Sequence, residues 1–267
     1  MPRAFLKKAS HCGRLFYFSL CLLVLGTPAY AEVLCPPSRI DAQVKVSYVY
    51  DGDTIRLQSG DKVRLIGINT PEMARDRQPT EALAIDARQA LIKLLKQHHY
   101  QIKLRYGQQQ RDRYGRLLAH AYTPDNKNIN VHLLNKGLAS LIAIPPNVEE
   151  QACYAKAENI ARQTKLGLWN RRNILESREL PRDTRGFKIV RGKVLRIGEG
   201  RKNLWLNLEG GLAIRIAKKD LHWFEQQNPR TYAGKTILAR GWIYKRKGEQ
   251  RMRVQHPYSL ELLNDTL

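Results

Sequence analysis

Short segments in which apolar and polar residues alternate are the feature that most constrains the fold of this chain. The segments VKVSYVY (44–50), TIRLQ (54–58) and VRLIGI (63–68) follow one another with little more than DGD and a tight SGDK turn between them. A period of two places alternate side chains on one face of a β-strand. Short strands joined by such turns predict an antiparallel meander.

Helical patterns and further strands follow this meander. Apolar residues recur at helical spacing in 79–97, and two later helical patterns, 129–137 and 147–167, each end at a glycine. After the first helix, 100–106 and 117–123 again show strand alternation. Strands that close on themselves beside a few helices predict a mainly β protein with helices (α+β), built on a small barrel of the OB-fold type.

The C-terminal part of the chain shows alternation of the same kind. Residues 171–188 are charged and lack apolar periodicity, which is typical of a linker. From residue 189 to residue 267, short alternating segments separated by glycine-containing turns predict a second small β-barrel, also OB-like. The first barrel domain is predicted to span 32–170.

Residues 1–31 carry the pattern of a secretory signal peptide. A basic start precedes the apolar run LFYFSLCLLVLG, which is shorter than a membrane-spanning helix requires, and AYA ends at Ala31. Leu20, and not a small residue, precedes Cys21, so no lipid anchor is expected. The sequence predicts export to the periplasm or the medium, with the mature chain starting near Glu32 and no stable membrane anchor.

The overall charge of the chain indicates a polyanionic partner. The 267 residues include 46 Lys and Arg against 24 Asp and Glu, a formal net charge of +22. Such a balance favours nucleic acid or an anionic membrane surface. No basic amphipathic helix of the kind that lies on lipid is evident, so nucleic acid is the preferred partner.

Two cysteines remain after the predicted signal peptide, Cys35 and Cys153. In an oxidising compartment they are disulfide candidates, and two free buried thiols are the alternative because the sequence does not give their separation. The chain has no Cys-x-x-Cys motif or Cys and His spacing typical of zinc sites.

Charged residues near the ends of the first strands could form a metal site. The SGDK turn sets a register in which Asp53 lies close to the end of the strand that contains Asn69. Asp53, Asn69 and main-chain oxygens could then meet, and oxygen ligands suit a hard cation such as Ca²⁺. The Asp-Gly-Asp turn could alternatively serve only to cap a hairpin.

Two arginines and a glutamate could act on a phosphodiester. Arg64 stands inside an otherwise apolar strand, Arg116 where a loop enters a strand, and Glu72 directly after Pro71. Either arginine could instead be a solvated surface charge. Two guanidinium groups and a metal could neutralise a phosphorane-like transition state, while the carboxylate takes a proton from the attacking water.

Three motifs together resemble one known family. DGDT at 51–54, RLIGINTPE at 64–72 and DRYGR at 112–116 occur in this order, and the region 42–170 that contains them resembles the thermonuclease (micrococcal or staphylococcal nuclease-like) family. The resemblance implies calcium-dependent cleavage of DNA and RNA with little sequence preference. It also implies roles for individual residues: Arg64, Glu72 and Arg116 in catalysis, Asp53, Asn69 and the Thr70 carbonyl as Ca²⁺ ligands, and Arg113 and Tyr114 at the terminal phosphate of a nucleotide.

The chain departs from the family pattern at two places. Asn69 stands where the best-known member has a second aspartate, so we expect weaker calcium binding or a site completed by substrate phosphate. The loop at 141–147 lacks the paired tyrosines that sandwich a base and offers Ala143 and Pro145 instead. Stacking contributes about 1–3 kcal/mol per base, so the substrate must be held elsewhere or more loosely.

The second barrel is a candidate for that additional binding. Its segment 241–258 interleaves Trp242, Tyr244 and Tyr258 with lysines and arginines, as a groove for single strands would. The alternative is that Trp205, Trp242 and Tyr244 fill the barrel core.

The preferred hypothesis is an exported, monomeric, calcium-dependent nuclease acting on DNA, RNA or both, because Arg64, Glu72 and Arg116 are all present. The alternative is a non-catalytic basic protein that binds nucleic acid on a nuclease scaffold, with strongly salt-dependent affinity. A basic envelope protein on anionic lipid is a third hypothesis with less support.

Overall fold

The computed structural model describes residues 34–74 and 79–263, together with Met1. The rest of the predicted signal peptide lies outside the described residues. Within the described part, no helix is both long and apolar enough to cross a lipid bilayer. The N-terminal helices and strands are β1 (Ala42–Val49), β2 (Thr54–Leu57), β3 (Lys62–Leu65), β4 (Ile68–Asn69), α1 (Ala84–Gln97), β5 (Gln101–Arg111), β6 (Leu117–Tyr122), α2 (Ile129–Asn135), β7 (Ser140–Leu141) and α3 (Gln151–Gln163).

The first barrel closes in the order β1-β2-β3-β6-β5. All neighbours are antiparallel except β3 and β6, which run parallel. Its core combines strand residues such as Val63 and Leu104 with Leu91 and Leu95 of α1. This is the predicted α+β architecture with an OB-type barrel, and the prediction is confirmed.

The structure interrupts two of the predicted elements. The predicted strand 63–68 breaks after Leu65, because the chain turns at Gly67, which has a φ of 85°. A Cβ at Gly67 would stand 2.7 Å from the Tyr154 ring, so the close packing requires glycine. The predicted helix at 79–97 begins only at Ala84, since Leu83 has a φ of 67°.

The second barrel repeats the strand order of the first. Its strands are β8 (Leu175–Glu176), β9 (Gly186–Glu199), β10 (Asn203–Leu208), β11 (Ala213–Ala217), β12 (Thr236–Arg246), β13 (Glu249–Val254) and β14 (Leu260–Leu262). The barrel closes as β9-β10-β11-β13-β12 through the β12 and β9 pairing, with β11 and β13 parallel. This confirms the predicted second small barrel.

The core of the second barrel is mainly aliphatic, and it does not include Trp205, Trp242 or Tyr244. Leu206, Ile214 and Met252 are fully buried, whereas Trp205 and Tyr244 are half-buried and Trp242 is 41% exposed. The alternative that these three aromatic residues fill the core is therefore wrong.

The segment predicted as a linker contains the short strand β8 and a 3₁₀ turn at Ser177–Glu179, and it contacts the second barrel. Leu180 packs into that barrel's core, and the Gln250 side chain donates a hydrogen bond of 2.8 Å to the Pro181 carbonyl. The division into domains stays a prediction.

A buried ion pair joins the two barrels. Arg240 of β12 contacts both carboxylate oxygens of Glu158 in α3 at 2.6 and 2.7 Å, and the two side chains are only 4% and 2% exposed. The main-chain N–H of Leu141 also donates to Glu158, at 2.6 Å. Around the pair, an apolar cluster unites the barrels through Ala161, Trp169, Ile189 and Leu238.

A disulfide joins Cys35 to Cys153, with Cα atoms 5.9 Å apart. The alternative of two free thiols is therefore wrong. The bridge closes a loop with a sequence separation of 118, and a cross-link of this kind contributes about 2–4 kcal/mol to stability. It fixes the N-terminal segment before β1 against α3.

We expect Arg240→Met to lower the free energy of unfolding by about 3–5 kcal/mol, because it leaves the Glu158 carboxylate buried without its cation. Denaturant unfolding of the purified protein measures this change. The double variant Arg240→Met with Glu158→Gln should recover part of the loss.

The matched control is Arg162→Met, which removes an ion pair with Glu261 at the same interface. Those side chains are 25% and 38% exposed, so the expected loss is about 1 kcal/mol or less. Equal losses in the two single variants would contradict the special role of the buried pair.

Candidate active site

Pairing in the first barrel gathers Asp53, Arg64 and Thr70 at one end. Thr54 stands opposite Arg64 in the β2 and β3 register, so Asp53 lies beside the end of β3. Asp53 Oδ2 accepts a hydrogen bond of 2.7 Å from the Thr70 N–H and lies 2.7 Å from Arg64 Nη1. Asp53 is 2% exposed and Arg64 is 9% exposed, so Arg64 is not the surface charge considered as an alternative.

Asn69 belongs to the same cluster. Its Oδ1 accepts a hydrogen bond of 3.1 Å from Arg64 Nη2, and its Nδ2 donates one of 3.1 Å to the Thr70 carbonyl. The pairing of β4 with β7 fixes its main chain opposite Ser140. The Arg64 guanidinium therefore bridges the carboxylate and the amide that the sequence predicts as metal ligands.

Asp51 is a buried acidic residue of this cluster that the sequence analysis did not assign to the site. It is 3% exposed, and its Oδ1 accepts the N–H of Asp53 at 3.0 Å. Burial, and next the negative charge of Asp53, raise the pKa of the Asp51 carboxyl to about 7. The Asp-Gly-Asp turn thus does more than cap a hairpin, because it buries two carboxylates beside one guanidinium.

The cluster offers only oxygen donors to a cation. Within the described residues, no group of three or more His, Cys, Asp or Glu side chains is arranged to hold a metal. A cation here would therefore also need the Asn69 amide and the Thr70 carbonyl. Thr70 Oγ1 is buried and, as far as the described residues go, has no hydrogen-bond partner. A donor set made up of oxygen atoms fits a hard divalent cation.

The loop before β6 holds Arg116 through Asp112. Asp112 Oδ2 accepts from Arg116 Nε at 2.8 Å, and Oδ1 accepts the main-chain N–H groups of Tyr114 and Arg116 at 2.9 and 3.0 Å. Burial works to raise the pKa of the Asp112 carboxyl, but these hydrogen bonds outweigh it and hold the pKa below its usual value. Asp112 lies inside the DRYGR motif, which is the signal that could have identified it.

Arg64 and Arg116 meet in one cleft of about 190 Å³, which Asp112 also lines. Parallel pairing places Val63 opposite Leu117, so both arginines come to the same end of the barrel. Trp242 of the second barrel lines the cleft as well, which the sequence analysis did not predict.

Arg113 and Tyr114 do not line this cleft and are exposed beside it. Arg113 Nη2 donates to Tyr114 Oη at 2.6 Å, and its guanidinium carbon lies 4.7 Å from the centre of the tyrosine ring. The pair is thus placed at the rim, next to Asp112.

Glu72 is exposed near the acidic cluster, and it is not among the residues lining the cleft. Its main-chain N–H donates to Glu81 Oε2 at 3.0 Å, and its carbonyl accepts the Glu81 N–H at 2.9 Å. Glu81 Oε1 in turn lies 2.7 Å from Lys188 Nζ of the second barrel. The negative charge of Glu72 makes a small contribution to the raised pKa of Asp51.

Comparison with known proteins agrees with this geometry. The family model for staphylococcal nuclease homologues matches residues 62–171. A thermonuclease from Staphylococcus intermedius is 32% identical over 131 residues, which cover 47% of this chain and 75% of that protein. The chain belongs to the staphylococcal nuclease homologue family. It is a hydrolytic nuclease of this family, and the family match ends before the second barrel begins.

Two further relatives are endonucleases. The SPbeta prophage-derived endonuclease YokF of Bacillus subtilis is 31% identical over 139 residues, covering 51% of this chain and 46% of that protein. An uncharacterized endonuclease from Escherichia coli O157:H7 is 30% identical over 159 residues, covering 58% of this chain and 89% of the relative.

We expect Asp112→Asn to lower kcat on nucleic acid roughly 10- to 100-fold, because it removes the ion pair that orients Arg116. An asparagine oxygen can still accept the two main-chain N–H groups, so thermal stability should change little. Steady-state kinetics and thermal unfolding of both proteins measure these effects.

The control is Asp61→Asn, which removes an exposed ion pair with Arg111 at 3.0 Å. It should leave kcat within about twofold of the original protein. A similar loss of kcat in both variants would show that Asp112 has no particular effect on Arg116.

Proposed function

We propose that this protein is an exported, calcium-dependent nuclease that hydrolyses phosphodiester bonds of DNA, RNA or both with little sequence specificity, and that it acts as a monomer. The observation that carries this proposal is the meeting of Arg64 and Arg116 in one cleft beside a buried acidic cluster. Membership of a nuclease family supports the substrate class.

The arginines would bind and orient the scissile phosphate. Guanidinium groups form paired, charge-assisted hydrogen bonds with phosphate oxygens and stabilise the negative charge that develops in the transition state. Arg116 is preorganised for this role, because Asp112 occupies its Nε and leaves the terminal nitrogens to face the substrate. Glu72, held near the cluster by its main-chain bonds to Glu81, would take the proton from the attacking water.

Calcium would be held by Asp53, Asn69 and the Thr70 carbonyl, and the Asp51 carboxyl accepts the main-chain N–H of Asp53 behind them. A bound divalent ion supplies a positive charge that polarises the phosphate and stabilises the transition state. Arg64 contacts two of these oxygens, Asp53 Oδ2 and Asn69 Oδ1, so we expect binding of the cation and of the substrate phosphate to be coupled through this side chain.

Export is supported by the signal-peptide pattern at the N-terminus and by the disulfide between Cys35 and Cys153. Disulfides persist in oxidising compartments such as the periplasm and the medium.

The non-catalytic alternative predicts that the protein binds nucleic acid without cleaving it.

We expect the protein to cleave a single-stranded DNA oligonucleotide in Ca²⁺ and to lose cleavage in EDTA. Glu72→Gln should lower kcat at least about 100-fold because it removes the proton acceptor. Gel analysis of the products and a binding assay on the same samples separate cleavage from binding.

The matched control is Glu225→Gln, which changes an exposed glutamate of the second barrel and should leave cleavage unchanged. Binding without cleavage in every divalent cation would overturn the proposed activity and favour the non-catalytic alternative. Cleavage that persists in EDTA would overturn only the calcium dependence.

We also expect Asn69→Asp to lower the Ca²⁺ concentration for half-maximal activity roughly threefold or more, because the change adds a negative charge to the ligand set. Calcium titrations of activity in the two proteins test this. An unchanged or higher half-saturating concentration would place the ion elsewhere.

A further inference from the structure

The second barrel contributes an aromatic side chain to the active-site cleft. Trp242 of β12 is 41% exposed, and it lines the same cleft as Arg64 and Arg116. The loop after β7 contributes Ile142, Ile144 and Asn147 to the cleft, none of which is aromatic. Trp242 is therefore the aromatic residue among the described residues that line the cleft.

The indole of Trp242 is held in place by its own barrel. Phe187 stands opposite Trp242 in the pairing of β9 with β12, and the two rings meet edge to face with centroids 5.2 Å apart. An aromatic pair of this geometry restricts the rotation of both side chains. The exposed face is thus presented by a fixed ring, which lowers the entropy lost when a ligand stacks on it.

The position of Trp242 relative to the first barrel is also fixed. Arg240 lies two residues earlier on the same face of β12 and forms the buried pair with Glu158. Glu158 also accepts the N–H of Leu141, whose neighbour Ile142 lines the cleft. The buried Glu158 carboxylate therefore fixes two walls of the cleft relative to each other, one from each barrel.

The surface beside Trp242 is basic and partly aromatic. Tyr244, two residues further along the same face of β12, pairs with Arg251 of β13. Arg251 and Arg253 alternate with the core residue Met252, so both guanidinium groups lie on the outer face. Stacking platforms combined with cations are the features that bind single-stranded nucleic acid, whose base faces are accessible.

We propose that Trp242 stacks on an unpaired base next to the scissile phosphate, so that the second barrel completes the cleft and selects single-stranded DNA or RNA over duplexes. This inference rests on the proposed nuclease function. In a duplex the base faces are covered by their neighbours, so the indole has no face to bind unless the strands separate.

The test compares Trp242→Leu and Trp242→Phe with the original protein on a single-stranded oligonucleotide and on the matching duplex. Trp242→Leu should raise KM for the single strand about 5- to 150-fold and leave KM for the duplex within about twofold, because one stacking contact is lost. Trp242→Phe keeps an aromatic face and should recover most of the affinity.

The control is Tyr48→Leu, which changes an aromatic residue of the first barrel that is 44% exposed and lies outside the cleft. It should leave KM within about twofold. Equal effects of Trp242→Leu and Tyr48→Leu would overturn the assignment of stacking to the cleft. Circular dichroism and thermal unfolding establish that each variant is folded.

An abasic substitution tests the contact directly. In an oligonucleotide with one abasic nucleotide, the original protein should cleave the phosphate next to that nucleotide at least about 5-fold more slowly than the others, as mapped at nucleotide resolution. Trp242→Leu should cleave all positions at similar rates, because it has no stacking to lose. A penalty at the abasic position that persists in the variant would overturn the proposal.

The outcomes separate this inference from the proposed function. Absence of cleavage by the original protein would contradict the nuclease itself. Cleavage by the original protein that is unaffected by Trp242→Leu would leave the nuclease intact and overturn only the role of Trp242.

Discussion

Parallel pairing between β3 and β6 is the constraint on which the rest of the site depends. It closes the first barrel, and by setting Val63 opposite Leu117 it brings Arg64 and Arg116 together although they are far apart in sequence. The antiparallel pairing of β3 with β2 adds Asp53 to the same end. The cleft and the acidic cluster are therefore products of strand register in one small barrel.

Glu158 connects the first barrel to the second. Its carboxylate accepts a hydrogen bond from a main-chain N–H of β7 and pairs with a guanidinium of β12. A single buried charge on α3 therefore holds α3, β7 and β12 together. A similar link runs from Glu72 through Glu81 to Lys188. Residues of both barrels thus contribute to the shape of the site.

Much of the architecture could be predicted from the sequence. The alternating segments identified both barrels, and the spacing of the DGDT, RLIGINTPE and DRYGR motifs pointed to the residues around the cleft. The sequence did not reveal that Arg64 is buried, because a strand position has the same pattern whether its face meets solvent or another element.

The contributions of Asp51 and Glu158 were not predictable, and although Trp242 was a candidate for contact with nucleic acid, its place in the cleft was not predictable either. Each depends on a contact between segments distant in the chain: the burial of the first turn, the docking of α3 on β12, and the approach of the second barrel to the cleft. Periodicity reports on local structure, and it carries no information on how two separately patterned regions pack together.

The interface between the two barrels affects how far each barrel is independent of the other. The family match ends at residue 171. If the chain were cut there, Ala161 and Trp169 would be exposed to water, and the Glu158 carboxylate would lose its ion pair with Arg240. Each barrel keeps its own hydrophobic core, and the two share the apolar cluster at their interface. The end of the family match therefore falls at an interface to which both barrels contribute.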